Sequence, residues 1–216
     1  ASFPVVLVKD PDSERYRSVV MLGLEAGENL FYKNDMWNAL SVPQSVGMVP
    51  FSLGLDPEQE NTLTACIDVD SAFVGEDKDI ALFDAEGKET ETLTNVQNAL
   101  GRLYEGEKMT ETFIKELAEN ELLQELELNI TFANEEKKKL VGIYTVNEEK
   151  LKALSDDKVL DFHKRGIFVP IYAMLGSLGQ VNRLVQLRNE GEGTKVAGVQ
   201  ISPVAQEAAK TESVTA

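Results

Sequence analysis

The chain has 216 residues, with 37 acidic side chains against 21 basic ones and a formal charge of −16. A surface of that sign repels nucleic acid and anionic membranes, since both are held through cations on the protein; basic partners or cations are favoured instead. The length fits one large domain or two small ones, and a single cysteine, Cys66, excludes an intrachain disulfide.

Taken in chain order, ASFPVVLVKD lacks the basic start and the apolar length of a secretion signal. Within it, PVVLVK is a β-branched apolar run that predicts a buried strand. DPDSERYR is a charged turn, and SVVMLGL returns as the second strand of a hairpin. Residues 25–50 are irregular, punctuated by Gly27, Pro43, Gly47 and Pro50. FSLGL, a polar turn at DPEQEN, and TLTACIDVD then supply two more strands, with Cys66 expected as a small buried core residue.

The second half changes period. Leu93, Val96, Leu100, Leu103 and Tyr104 follow helical spacing. Thr110 is placed to cap a following helix with Phe113, Ile114, Leu117 and Ala118 on its apolar face. Leu126, Leu128, Ile130 and Phe132 alternate with polar residues, as a half-buried strand does. LVGIYTV is its antiparallel partner across ANEEKKK. Asn147 and Ser155 are each followed by two acids, so each opens a short helix, and Gly166 ends the second.

Residues 167–188 read as the main core helix, with Pro170 in its first turn. Gly176 and Gly179 are placed to admit a close neighbour. The uninterrupted apolar part falls short of the ~20 residues that span a bilayer. From Asn189 the small, polar composition predicts a flexible tail over 189–216; the short run VAGVQI is the alternative, a further strand, and the tail is the favoured reading. The fold class is α+β: a strand-rich N-terminal half with an antiparallel sheet, then a C-terminal hairpin and packed helices. One domain over 1–188 is expected.

Several constellations are candidates for chemistry. GENLFYKNDMWNALSVP mixes Phe31, Tyr32 and the only tryptophan, Trp37, with Asn29 and other polar residues. Such a stretch serves either as a ligand or partner surface or as a turn-rich corner packed on a sheet, with Trp37 as its anchor. Asp68 and Asp70 share a face if their strand persists, and two carboxylates there could hold a divalent cation or act as a general base. The alternative is a strand end whose aspartates take backbone N–H groups. DAEG at 84–87 opens like a calcium loop, but the remaining ligands are missing, so a tight turn at Gly87 is the better account. His163 beside Lys164 and Arg165 is explained by the helix dipole, which favours cations in a last turn. No CxxC pair, HExxH, P-loop or dinucleotide glycine motif occurs, so no cofactor is expected.

The ordered segments FPVVLVKD, LGLEAGENLF with Trp37, PF at 50–51, CIDVDS, ALFDAEGKET, LVGIYTVNEEKLKALSDD and GIFVPIYAMLGSLGQVNRL together resemble the bacterial SapC proteins. The resemblance covers most of residues 3–188. It implies a role linked to the bacterial cell surface, since the family takes its name from a surface-array gene cluster. It carries over no catalytic residue. It also implies that Ala1 is a truncated start, so compartment is not legible beyond a cytoplasmic default. After Trp37 the family tends to carry Tyr-Val-Pro and then arginines, whereas SVPQSVGMVPF here has neither Tyr nor Arg. Any anion-binding role at that corner is thereby in doubt.

The leading expectation is a non-enzymatic accessory or interaction protein with a protein partner and no nucleic acid. Asn29, Tyr32, Trp37, Asp68, Asp70 and His163 are its candidate surface residues. The alternatives are a cation- or ligand-binding domain or enzyme using Asp68 and Asp70, and a structural surface-layer subunit.

Overall fold

A computed structural model describes residues 2–56 and 62–204. Residues 57–61 of the turn expected at DPEQEN lie outside that range. In chain order the elements are β1 (Val5–Lys9), β2 (Tyr16–Val20), β3 (Tyr32–Lys33), β4 (Met36–Trp37), α1 (Gln44–Gly47), β5 (Phe51–Leu55) and β6 (Leu63–Ile67). They continue with α2 (Glu91–Glu119), β7 (Leu123–Phe132), β8 (Lys137–Val146), α3 (Glu148–Lys152), α4 (Asp156–Lys164), α5 (Phe168–Ser177), α6 (Val181–Glu190) and β9 (Val196–Pro203). The architecture is α+β, with antiparallel sheets. Two compact units are distinguished: Ala1–Asn38 with Phe113–Ala216, and Ala39–Thr112.

In the first unit β2, β1, β8, β7 and β9 lie side by side in that order, each pair antiparallel. Both hairpins expected from the apolar periods are present, β1 with β2 and β7 with β8. Leu126, Leu128, Ile130 and Phe132 are buried while their neighbours on β7 are half-buried. Gly142 sits at the register shift between β7 and β8 with φ of 77°, a conformation that glycine adopts without strain.

The helices build the core of this unit. Ile114 and Leu117 of α2, Leu151 of α3, Phe162 of α4, and Ile171 and Met174 of α5 pack with Leu7 and Val146 of the sheet. The predicted caps are formed. Asn147 Oδ1 accepts the Lys150 N–H at 2.9 Å, and Ser155 Oγ accepts that of Lys158 at 3.4 Å. Gly166, at φ 70°, ends α4. The helix expected over 167–188 is interrupted by a 3₁₀ turn at Leu178–Gln180. Ser177, just before it, takes the Val5 N–H at 2.8 Å and donates to the Met174 carbonyl at 2.6 Å. The close approach expected at Gly176 and Gly179 is absent, because open space surrounds the position of a Cβ at either.

Two more expectations are corrected. Residues 189–204 are not a tail: α6 runs to Glu190, and β9 pairs with β7 from Leu126 to Phe132. Composition hides such a strand because its hydrogen bonds are supplied by the neighbouring backbone. Residues 205–216 lie outside the described residues. Thr110 is no cap. It lies inside the 29-residue α2, where its hydroxyl donates to the Gly106 carbonyl at 2.8 Å. The helix continues through Gly106, whose cost of about 1 kcal/mol is small against an intact backbone ladder.

In the second unit β5 and β6 form a two-stranded antiparallel ribbon from Phe51↔Ile67 to Leu55↔Leu63. Cys66 is exposed, not buried. It stands opposite Ser52, which is also exposed, so this face of the ribbon is open to solvent. Among the described residues of this unit, only Leu93 and Leu100 are buried apolar side chains.

Candidate functional site

The aromatic corner forms in the first unit. Asn34 and Asp35 both have positive φ, 52° and 58°, which is the two-residue turn that joins twisted strands. They connect β3 to β4, with Tyr32 opposite Trp37. Asn29 Oδ1 accepts the Phe31 N–H at 3.0 Å, and the Asn38 N–H reaches the Phe31 carbonyl at 2.6 Å. These bonds aim Phe31 inward. Phe31 is buried and meets Phe3 edge to face at 4.7 Å between centroids. Trp37 stacks on Phe31 at 6.3 Å and meets Phe3 at 6.2 Å. Trp37 therefore closes a packed aromatic cluster, while Tyr32 and Met36 remain exposed. The Tyr32 hydroxyl donates to Asp35 Oδ1 at 3.3 Å.

Charge pairs tie the loop ahead of this corner down. Arg188 of α6 pairs with Glu28 and, at 3.4 Å, with Glu25. Lys138 of β8 also pairs with Glu25, and both cations lie over the Phe132 ring. The Lys138 hydrogen bond holds the Glu25 carboxyl below its ordinary range.

Asp68 and Asp70 lie in the second unit, past the end of β6. The strand stops at Ile67, so the two do not share a strand face. Asp68 Oδ1 accepts the Asp70 N–H at 3.1 Å, and the Asp68 carbonyl takes the Ser71 N–H at 3.2 Å. Asp84 Oδ1 likewise accepts the N–H groups of Glu86 and Lys88, with Gly87 at φ 78°. Both are turns closed by an aspartate. Among the described residues no group of three or more His, Cys, Asp or Glu is placed to hold a metal ion. His163 is exposed in the last turn of α4, beside Lys164. The candidate residues thus fall into three places: Asn29, Tyr32 and Trp37 at one corner, Asp68 and Asp70 in one turn, His163 at a helix end.

The residue pattern missed a larger feature. Most of the exposed large apolar side chains among the described residues belong to Ala39–Thr112. Leu40, Val69, Phe73, Ile80 and Phe83 are each more than half exposed. Acids stand between them: the same span holds fifteen acidic and four basic residues. The available signal was FVGEDKDIALF, in which the large apolar residues Phe73, Ile80 and Phe83 flank the charged run EDKD.

A family model described as SapC matches residues 1–184. The chain belongs to the SapC family. No curated protein and no solved structure matches it. The SapC match takes in all of the second unit and the first as far as residue 184, including the aromatic corner and the Asp68 turn but not β9. No described helix of this SapC chain is long and apolar enough to cross a membrane.

Proposed function

We propose that this SapC protein is a non-enzymatic accessory module that docks a protein partner through residues 39–112. The carrying observation is the imbalance of that unit: Phe73, Ile80 and Phe83 are exposed, while Leu93 and Leu100 alone of its described apolar side chains are buried. Large apolar side chains left exposed among charged ones favour an interaction face. Fifteen acids against four bases specify the partner's chemistry, an apolar patch rimmed by Lys and Arg. A second copy of the chain would bring like charge to like charge. Asp68 and Asp70 belong to the acidic rim in this proposal; the exposed Tyr32 and Met36 beside Trp37 are a separate candidate contact on the first unit. A link to the bacterial cell surface is part of the same proposal, supported by the family resemblance.

The test compares the immobilised full chain with a Phe73→Ser, Ile80→Ser, Phe83→Ser variant, using fractionated lysate and rising salt. The expected result is one protein retained in stoichiometric amount, released as salt rises, and lost on the variant while its helical circular dichroism is unchanged. Retention that survives the triple substitution overturns the proposal. So does sedimentation showing self-association as the sole interaction.

A further inference from the structure

We infer that the first unit carries a pocket for a small organic cation, an alkylammonium or alkylguanidinium, held between Tyr16, Tyr144 and Glu125. A cavity of about 580 Å³ opens there, bordered also by Leu123, Gln124 and Asn147. Every residue bordering it belongs to the first compact unit, and none to the residues 39–112 proposed above as a partner surface.

Sheet register explains why these side chains converge. Leu7 and Lys9 are two apart on β1, so they point to one face. Their partners across the ladders are Tyr144 on β8 and Tyr16 on β2. Glu125 of β7 pairs directly with Tyr144 and joins the same face. The two phenol rings stand 5.0 Å apart at 76°, two walls nearly at right angles. A cation seated against either ring face gains from the ring quadrupole. Leu123 gives an apolar wall for an alkyl stem.

Glu125 supplies the charge. One of its oxygens accepts the Gly142 N–H at 3.1 Å, and among the described residues no lysine or arginine pairs with it. Its neighbour on the same face, Glu127, is by contrast held by Lys139, and Glu116 by Lys158. The cation nearest Tyr16 in the register, Lys9, is turned to Glu14 at 3.5 Å. The Tyr144 hydroxyl is held above its ordinary pKa, by burial first and by the Glu125 charge next, so it stays protonated. A half-buried carboxylate with no cationic partner among the described residues, set beside two aromatic faces, is complementary to an organic ammonium and hostile to an anion.

The experiment titrates n-butylammonium and n-butylguanidinium into the full chain at low salt, with butyrate as the anionic control and magnesium as a non-aromatic cation. Binding is read by calorimetry and by amide shifts in ¹H–¹⁵N spectra. The expected result is saturable binding of the organic cations, with shifts concentrated at residues 123–125 and 142–147 and none for butyrate. Glu125→Gln keeps an oxygen for the Gly142 N–H, and it should weaken binding by about tenfold or more. Tyr16→Leu should weaken it by about fivefold. Magnesium matching the organic cations at the same amides would overturn the inference, as would equal affinity in wild type and Glu125→Gln. Absence of saturable binding at millimolar probe in the wild type, whose fold is not in question, overturns it equally.

Discussion

Glu116 gives the sharpest test of how the first unit is held. Its carboxylate takes Lys158 at 2.9 Å and Arg165 at 3.0 Å, joining the end of α2 to α4. Both cations also lie over the ring of the fully buried Phe162, at 4.9 and 5.7 Å. Arg165 is further steadied by Asp161 at 2.8 Å. The hydrogen bonds from Arg165 and Lys158 push the Glu116 carboxyl down to about 2 from 4.5. At about 1.4 kcal/mol per unit, that difference corresponds to roughly 3 kcal/mol of preference for the charged form in the fold. Solvent reaches both partner cations, and screening reduces this to about 1.5 kcal/mol. Glu116→Gln should therefore lower unfolding free energy by about 1.5 kcal/mol at neutral pH, measured by urea denaturation followed in far-ultraviolet circular dichroism. The pH dependence follows from the direction of the shift. The unfolded carboxyl binds its proton first, so the stabilisation is complete above about 4.5 and is lost as pH falls toward about 2. The gap between wild type and Glu116→Gln should shrink by more than half by about pH 3. A gap that stays constant over this range, or no gap at neutral pH, would refute the reasoning.

Trp37→Ala should cost about 2–3 kcal/mol in the same denaturation assay, because it uncovers Phe31 and Phe3. Thr110→Ala should be neutral or stabilising by a few tenths of a kcal/mol, since the residue is inside a helix; loss of about 1 kcal/mol would restore it as a cap. Cys66 should react fully with a thiol reagent in the native chain, at a rate close to that after denaturation. A native-state thiol that stays unreacted would contradict the open ribbon face.

Much of the fold was legible in local chemistry. The period of two over Leu126, Leu128, Ile130 and Phe132 and the β-branched run at 5–9 announce strands, because alternate side chains must share one face. Asn147, Ser155 and Gly166 mark helix ends because they satisfy unpaired backbone groups or accept positive φ. Thr110 misled because a capping residue type carries no record of which backbone group it will meet. In α2 its hydroxyl turned back to Gly106. The candidate site was legible only in part. GENLFYKNDMWNALSVP was marked by its aromatics, and the structure makes the corner a packed cluster with Tyr32 and Met36 left outside. The grouping of Tyr16, Glu125 and Tyr144 left no trace in residue order, being set by register across four strands.

By itself the sequence determined the acidic surface, the α+β class, the two hairpins and the helix boundaries from Asn147 to Gly166, because these depend on side chains within a turn or a strand of one another. Tertiary structure decided what depended on distant partners. β9 exists because β7 offered its free edge. Ser177 is satisfied at Val5, far away in the chain. Cys66 is exposed, as is Ser52 opposite it on the β5–β6 ribbon, although its apolar run reads as core. Burial and non-local hydrogen bonding belong to the assembled elements, and no window of residues contains them.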